Sequence, residues 1–369
     1  MVDEGFKNAF HAAEEKRGAE FDLDSGWYWT ARFPDDPDGT KGYTATREDV
    51  SVWNVSPLIK WKFVGPDAAK AVDRAGTNKV EDLKVGGVRY SLFLDEDGSV
   101  LDEGTVYRVA DDTLYFMLNT DGDEFGDELK KRAQGLDVEI TNPSRGMPNL
   151  AIQGPNALAL VQKLTDADVG SLRYFNFFTE PVEFAGAQVM LTRTGYSGEK
   201  GYEVFLMDAS DADGVYEAVV DAGAYPIGTD AVLRYRVESG LVIAAIDYAS
   251  EANPNTSPYD IGLGHAIKLD HDFVGKSGIE ATASNPPNRY VTLKLEGDEE
   301  SEYGAEVKKD GEVVGLAPSP TVSPGFGAIT LATVPAELAE PGTELEVDGR
   351  KAIVDTVPLY DPEKKRPRS

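Results

Sequence analysis

"FVGPDAAKAVDRA" at residues 63–75 and "AIQGPNALALVQKL" at 151–164 decide the reading of the fold. Each stretch runs from apolar residues through Gly-Pro-Asp/Asn-Ala into an amphipathic helical pattern. Proline suits the first helical turn because the amide it lacks has no intrahelical acceptor there. A strand–Gly-Pro–helix phrase recurring about ninety residues later predicts two related α+β lobes.

The same patterning extends outward from the two phrases. "SVWNVSPLIKWKFVG" (51–65) is rich in β-branched and aromatic residues and reads as strand. "RYSLFLDEDGSVLDEGTVYRVADDTLYFMLN" (89–119) breaks at DG and DD pairs and predicts an antiparallel meander. Helices are expected over 122–135, closed by Gly135, and near 209–222 and 229–240. "DSGWYWTARFPDDPDGTKGY" (24–43) reads as an irregular entry segment, and "ATASNPPNRY" (281–290) as a linker. Beyond the linker, "YVTLKLEG", "GAITLATV" and "KAIVDTVPLY" are short, evenly spaced strands of a small barrel or sandwich. The tail "EKKRPRS" (363–369) reads as a solvated terminus.

The chain has 369 residues, 36 basic against 65 acidic, and a formal net charge of −29. Such a charge opposes binding to nucleic acid or an anionic membrane. The acid is spread along the whole length, a distribution that molar salt makes tolerable by shrinking the Debye length to about 3 Å. A halophilic origin is the expectation. With no cysteine, thiolate metal sites, iron–sulfur clusters and cysteine nucleophiles are excluded. No apolar stretch approaches the roughly 20 residues of a membrane span, and the N-terminus lacks a secretory pattern, so a cytoplasmic location is expected.

The usual catalytic motifs are missing. There is no Walker A loop, HExxH or GxSxG sequence, and the three histidines, His11, His265 and His271, are too few for a histidine-rich metal site. No metal is expected. Chemistry without metal, thiol or triad points to an organic cofactor. "RTGYSGEKGYEVF" (193–205) offers the place for one. Strand alternation puts Glu203 and Phe205 on one face and Tyr202, Val204 and Leu206 on the other, so Glu203 is an acid among apolar neighbours. A buried carboxylate needs partners. Two adjacent N–H groups on a pterin or purine edge would satisfy it, with Tyr196 supplying a flat ring nearby. An ion pair with Arg193 or Arg236 would satisfy it equally.

"RTGYSGEKGYEVF" resembles the signature loop of the aminomethyltransferase family, whose founding member is the T-protein of the glycine cleavage system. "NLAIQGPNAL" (149–158), "YRVESG" (235–240), "GLGHAIKLDHDFVGKSGI" (262–279) and "VVGLAPSPTVSPGFGAITLATV" (313–334) agree in the same order. The resemblance covers roughly residues 43–360. It implies an α+β fold of three domains in a ring: two intertwined, folate-binding lobes over residues 1–283 and a C-terminal β-barrel over 288–363. It further implies tetrahydrofolate as cofactor, with Tyr90, Asn119, Tyr196, Glu203 and Arg236 as its contacts. The family's catalytic aspartate lies in a phrase like "GGILDDLIV"; here "GSVLDEGTV" puts Glu103 at that place and Asp102 before it.

Three departures bear on the reaction. Glutamate replaces aspartate at 103. The family's Ser-His-Met phrase is absent from "EDVSVWNVSPLIKWKFVGPDA" (48–68), and His265 stands where the family commonly has Trp. These lean toward the branch of folate-dependent demethylases. The expected activity is transfer of a methyl or aminomethyl group from a small donor to tetrahydrofolate, with a lipoyl carrier protein as partner in the aminomethyl case. A non-catalytic folate-binding protein, or the folate module of a multi-subunit amine oxidase, are the alternatives.

Overall fold

The computed structural model describes residues 5–251 and 253–369. A short helix α1 (His11–Lys16) precedes a two-stranded antiparallel hairpin, β1 (Glu20–Asp24) and β2 (Trp27–Arg32). This hairpin replaces the irregular entry expected from the sequence. Strand β1 is mostly exposed and strand β2 buries Trp27, Thr30 and Ala31, so only one of the two shows an apolar pattern. Helix α2 (Thr40–Glu48) follows, then β3 (Ser51–Asn54) and β4 (Ile59–Val64), which Pro57 separates into different sheets.

The two Gly-Pro phrases occupy equivalent places. Strand β4 passes through Gly65-Pro66 into α3 (Ala68–Ala75). The meander is β5 (Val88–Leu94), β6 (Val100–Ala110) and β7 (Thr113–Leu118), followed by α4 (Asp123–Arg132) and β8 (Glu139–Thr141). Strand β9 (Asn149–Gln153) passes through Gly154-Pro155 into α5 (Ala157–Lys163). Then come β10 (Val182–Phe184), β11 (Ala187–Thr192), β12 (Gly201–Leu206), α6 (Ala212–Asp221), β13 (Tyr225–Ile227) and α7 (Thr229–Glu238). The first sheet runs β5-β6-β7-β4-β8 and the second β10-β11-β12-β9-β3-β13, the same order with one strand added. The amides of Asp67 and Asn156, at matching positions after the Gly-Pro pairs, donate to Asp137 and Asp49 at 3.2 and 3.0 Å. Because β3 precedes the first unit in sequence yet completes the second sheet, the two lobes are intertwined.

Each sheet buries one face under its own helices. Phe63, Phe93, Val106, Leu114 and Phe116 pack against α3 in the first lobe; Leu150, Ile152, Leu191, Val204 and Leu206 form the corresponding core with α5 and α6. The opposite faces look toward each other. They touch through Val88, Tyr107 and Met117 on one side and Phe177, Met190 and Phe205 on the other. After α8 (Lys276–Glu280), β14 (Asn288–Leu295), β15 (Ala305–Lys309), β16 (Glu312–Ser323), β17 (Gly327–Pro335), β18 (Glu344–Val347) and β19 (Arg350–Asp355) close a six-stranded barrel. No helix is long and apolar enough to cross a membrane.

Candidate functional site

The inward faces of the two sheets carry polar residues where a plain core would be apolar. Across the first sheet, Tyr90, Thr105, Met117 and Lys60 stand in one register row, with Glu103 one pleat along. Across the second, Thr192, Glu203, Ala151, Trp53 and Ile227 make the facing row. The predicted parity of Glu203 is therefore the observed one.

Glu203 is buried and meets only neutral hydrogen-bond donors. Its Oε2 accepts from the Thr194 hydroxyl and from Tyr107 Oη at 3.3 Å; Oε1 receives no bond among the described residues. Burial raises its carboxyl above the ordinary value, opposed by those two hydroxyls and by the charge of Lys60. The ion-pair alternative is excluded. Arg193 donates to the carbonyls of Leu172 and Ser369, and Arg236 pairs with Asp247 at 2.7 Å.

The loop before Glu203 is fastened from several sides. Gly195 and Gly201 both close on the Gln153 side chain, where a Cβ would come within 2.0 and 2.1 Å of its amide oxygen. Gln153 in turn accepts from Ser197 Oγ at 2.7 Å and donates to the Thr194 carbonyl at 3.3 Å. Glu199 has a structural role: its two oxygens take Arg47 at 3.3 Å and Arg366 at 2.8 Å, while Arg47 also pairs with Glu238 at 2.9 Å. The basic tail is thus docked on the loop through Arg366 and Ser369, not solvated as its composition implied. The buried Glu199 pulls Arg47 and Arg366 in.

Glu103 marks a second focus. Tyr90, Tyr248 and Asn119 adjoin its carboxyl, and Tyr196 lies near enough to feel its charge. Burial pushes Glu103 up to about 7, with the neighbouring Asp102 charge adding to the shift and Tyr90 opposing it. The Tyr248 hydroxyl is buried and has no hydrogen-bond partner in good geometry among the described residues. Asp102 differs sharply. It accepts from the amides of Glu103 (2.7 Å), Asn119 (3.1 Å) and Thr120 (2.8 Å) and from Asn119 Nδ2 (2.8 Å). Its carboxylate is saturated, so it fixes the β6–β7 geometry that aims Glu103, and no acceptor capacity is left for a ligand. Asn119 sits with them, its amide nitrogen also donating to the Glu103 carbonyl at 3.2 Å.

Tyr196 donates its hydroxyl to the Val242 carbonyl, which turns its ring toward Trp53 and Tyr235. Arg236 reaches Asp247, the Leu241 carbonyl and Ser319 of β16, so it joins α7, the 240–248 loop and the barrel. Its position beside Tyr196 lets it hold those three segments together behind that ring. His265 lies parallel to Tyr90, 6.1 Å away with 6° between planes, extending a flat aromatic wall.

Lys60, Trp53, Tyr107, Asn149 and Tyr248 belong to the site and were not singled out from the sequence. Among them, the Trp53 indole N–H, both amide atoms of Asn149 and the Tyr248 hydroxyl have no hydrogen-bond partner among the described residues although they are buried. Buried polar groups left unpaired are costly, and each calls for an explanation. A flat, polar ligand between the two sheets would supply the missing partners. No group of three or more His, Asp or Glu side chains is placed to hold a metal among the described residues.

Residues 10–271 match the GCVT N-terminal domain family, and residues 288–361 the glycine cleavage T-protein C-terminal barrel domain. A probable aminomethyltransferase of Natronomonas pharaonis is 34% identical over 359 residues, covering 95% of this chain and 97% of that protein. An aminomethyltransferase of Listeria welshimeri is 32% identical over 372 residues, covering 97% and 99%. Glycine cleavage system aminomethyltransferase T from Bartonella henselae superposes with a TM-score of 0.85 at 25% identity, covering 96% of this chain and 98% of that one.

Proposed function

The chain belongs to the glycine cleavage T-protein (aminomethyltransferase) family, and from that premise we propose that it moves a one-carbon unit from a small donor to tetrahydrofolate bound between the two sheets. The observation that carries this reading is Glu203: a buried carboxylate with no ion pair, a free Oε1, and unpartnered Asn149 and Trp53 on the same inward face. The donor set fits a pterin. Its adjacent N–H groups match a carboxylate, and its flat ring matches the Tyr196 and Tyr90 walls. Bound tetrahydrofolate supplies the nucleophilic nitrogen that accepts the one-carbon unit. Glu203 holds the heterocycle, Tyr90 and Tyr196 confine it, and Asn119 and Asp102 hold Glu103 in place. Glu103 takes the proton released at the accepting nitrogen or balances positive charge developing there.

Two donor classes follow from this geometry. The family relatives favour an aminomethyl group delivered by a lipoyl carrier protein. The group of Tyr90, Tyr196 and Tyr248 around an anionic Glu103 favours a small cationic methyl donor, because aromatic faces attract sulfonium or quaternary ammonium groups. Turnover with an aminomethyl-lipoyl carrier against a sulfonium donor separates them. Ligand binding is tested first. In molar KCl, 5-formyltetrahydrofolate at 100 times its Kd should add about 2.7 kcal/mol to the stability of the wild type. Glu203→Ala should lose that gain. A flat melting profile at millimolar ligand overturns the reading.

A further inference from the structure

Lys60 is a fully enclosed lysine, 1% exposed, on the inward face of β4. Its ammonium donates to the Ser56 carbonyl at 2.9 Å, and that is its only hydrogen bond among the described residues. Among the described residues no carboxylate lies within ion-pair distance, although Glu203 is near enough to act on its charge. Ser56 also bonds the backbone of Asn149 through its hydroxyl, at 3.1 Å to the amide. Ser56 therefore ties the lysine's ammonium to the backbone of Asn149, the residue whose carboxamide has no partner among the described residues. Two ammonium N–H groups near Glu203, and a whole carboxamide at Asn149 on the same inward face of the second sheet, have no partners among the described residues. Desolvating a cation and an amide together is costly unless something else completes their bonding.

A carboxylate alone reads two adjacent donors. A carboxylate flanked by a cationic donor reads a longer edge, donor-donor-acceptor, which is the edge of a 2-amino-4-oxo pyrimidine ring. We propose that Lys60, supported by Asn149, determines specificity for that edge: Glu203 takes the 2-amino and ring N–H groups, and Lys60 donates to the 4-oxo oxygen. A 4-amino group at the same place would set donor against donor, so the pocket rejects 2,4-diamino rings. This rests on the reading of Glu203 as the pterin-binding acid.

Folic acid and 4-aminofolic acid (aminopterin), which differ in the group at that ring position and with it in the proton on the adjacent ring nitrogen, are the probes, read by equilibrium binding in molar KCl. Wild type should bind folic acid about ten- to hundredfold more tightly, the range of one charge-assisted hydrogen bond. Lys60→Met preserves the length and volume of the side chain and removes a buried charge, so the unliganded protein should melt at or above the wild-type temperature. It should narrow the ratio by about tenfold, through weaker folic acid binding, and what remains reflects the ring N–H that only folic acid offers Glu203. Equal affinities in the wild type overturn the proposal without any variant, as does an unchanged ratio in folded Lys60→Met. Glu203→Gln distinguishes the two failures. If it abolishes folic acid binding while Lys60→Met leaves the ratio alone, only the role of Lys60 falls. If it leaves folic acid affinity intact, the pterin-binding role of Glu203 falls, and the Lys60 proposal with it.

Discussion

Adjacent acids on β6 should fail in opposite ways when their charge is removed. Glu103 adjoins Tyr90, Tyr248 and Asn119 and has burial holding its carboxyl up to about 7. Glu103→Gln preserves shape and removes the charge. One preorganised electrostatic group contributes about 2–4 kcal/mol to a transition state, so single-turnover transfer should fall roughly thirty- to thousandfold. Affinity for 5-formyltetrahydrofolate should stay within about threefold. The sign of the stability effect is fixed as well. An acid whose folded pKa is raised favours the native state below its unfolded value near 4.5, and that contribution is lost as pH rises toward about 7. At pH 8, then, Glu103→Gln should melt at or above the wild type. Wild-type activity should rise as pH increases through about 7, and the inflection should vanish in the variant. Asp102→Asn should do the reverse. Its carboxylate accepts four N–H groups, and an amide presents one acceptor and two donors to them. With at least two buried donors unpaired at about 1–3 kcal/mol each, roughly 2–6 kcal/mol of stability should go. Thermal melts and single-turnover rates on both variants decide. Under tenfold loss in Glu103→Gln, together with a large rate loss in a fully folded Asp102→Asn, would refute the assignment.

Arg236→Met should strand Asp247 in the interior at about 3–5 kcal/mol, with Asp247→Asn partly rescuing the double variant; chemical denaturation measures both. Arg366→Ala should cost only about 1 kcal/mol, since Arg366 is 41% exposed and Glu199 keeps Arg47, yet amide exchange across 193–200 should quicken. Unchanged exchange would mean that the tail merely lies on the loop. The net charge of −29 predicts loss of structure as KCl falls from molar to millimolar, followed by circular dichroism; full structure without salt would count against a halophilic origin.

What the sequence revealed was local. The Gly-Pro phrases, the meander and the parity of Glu203 each depend on residues within a dozen positions, and each appears in the structure. Lys60 was invisible for the opposite reason. In "LIKWKFV" a lysine at alternate positions reads as a solvent face, and only the second sheet laid over β4 makes that face internal. Tyr248 lies in a loop with no periodicity, and Arg366 meets Glu199 across 167 positions. The hydroxyls around Glu203 come from β6 and from the loop between β11 and β12.

The chain's 65 acids differ in function through their partners, not their identity. Glu199 and Glu238 are matched to Arg47, and Asp247 to Arg236; Asp102 is filled by backbone and amide donors. Those four are complete within the protein. Glu203 is buried and Glu103 half-buried, yet both meet mainly tyrosine, threonine and amide groups, with no guanidinium in contact among the described residues. A folded protein does not stabilise itself by enclosing carboxylates in this way. Their retention is best explained by a ligand that brings the missing donors: N–H groups at Glu203, and an amine or a developing cation at Glu103.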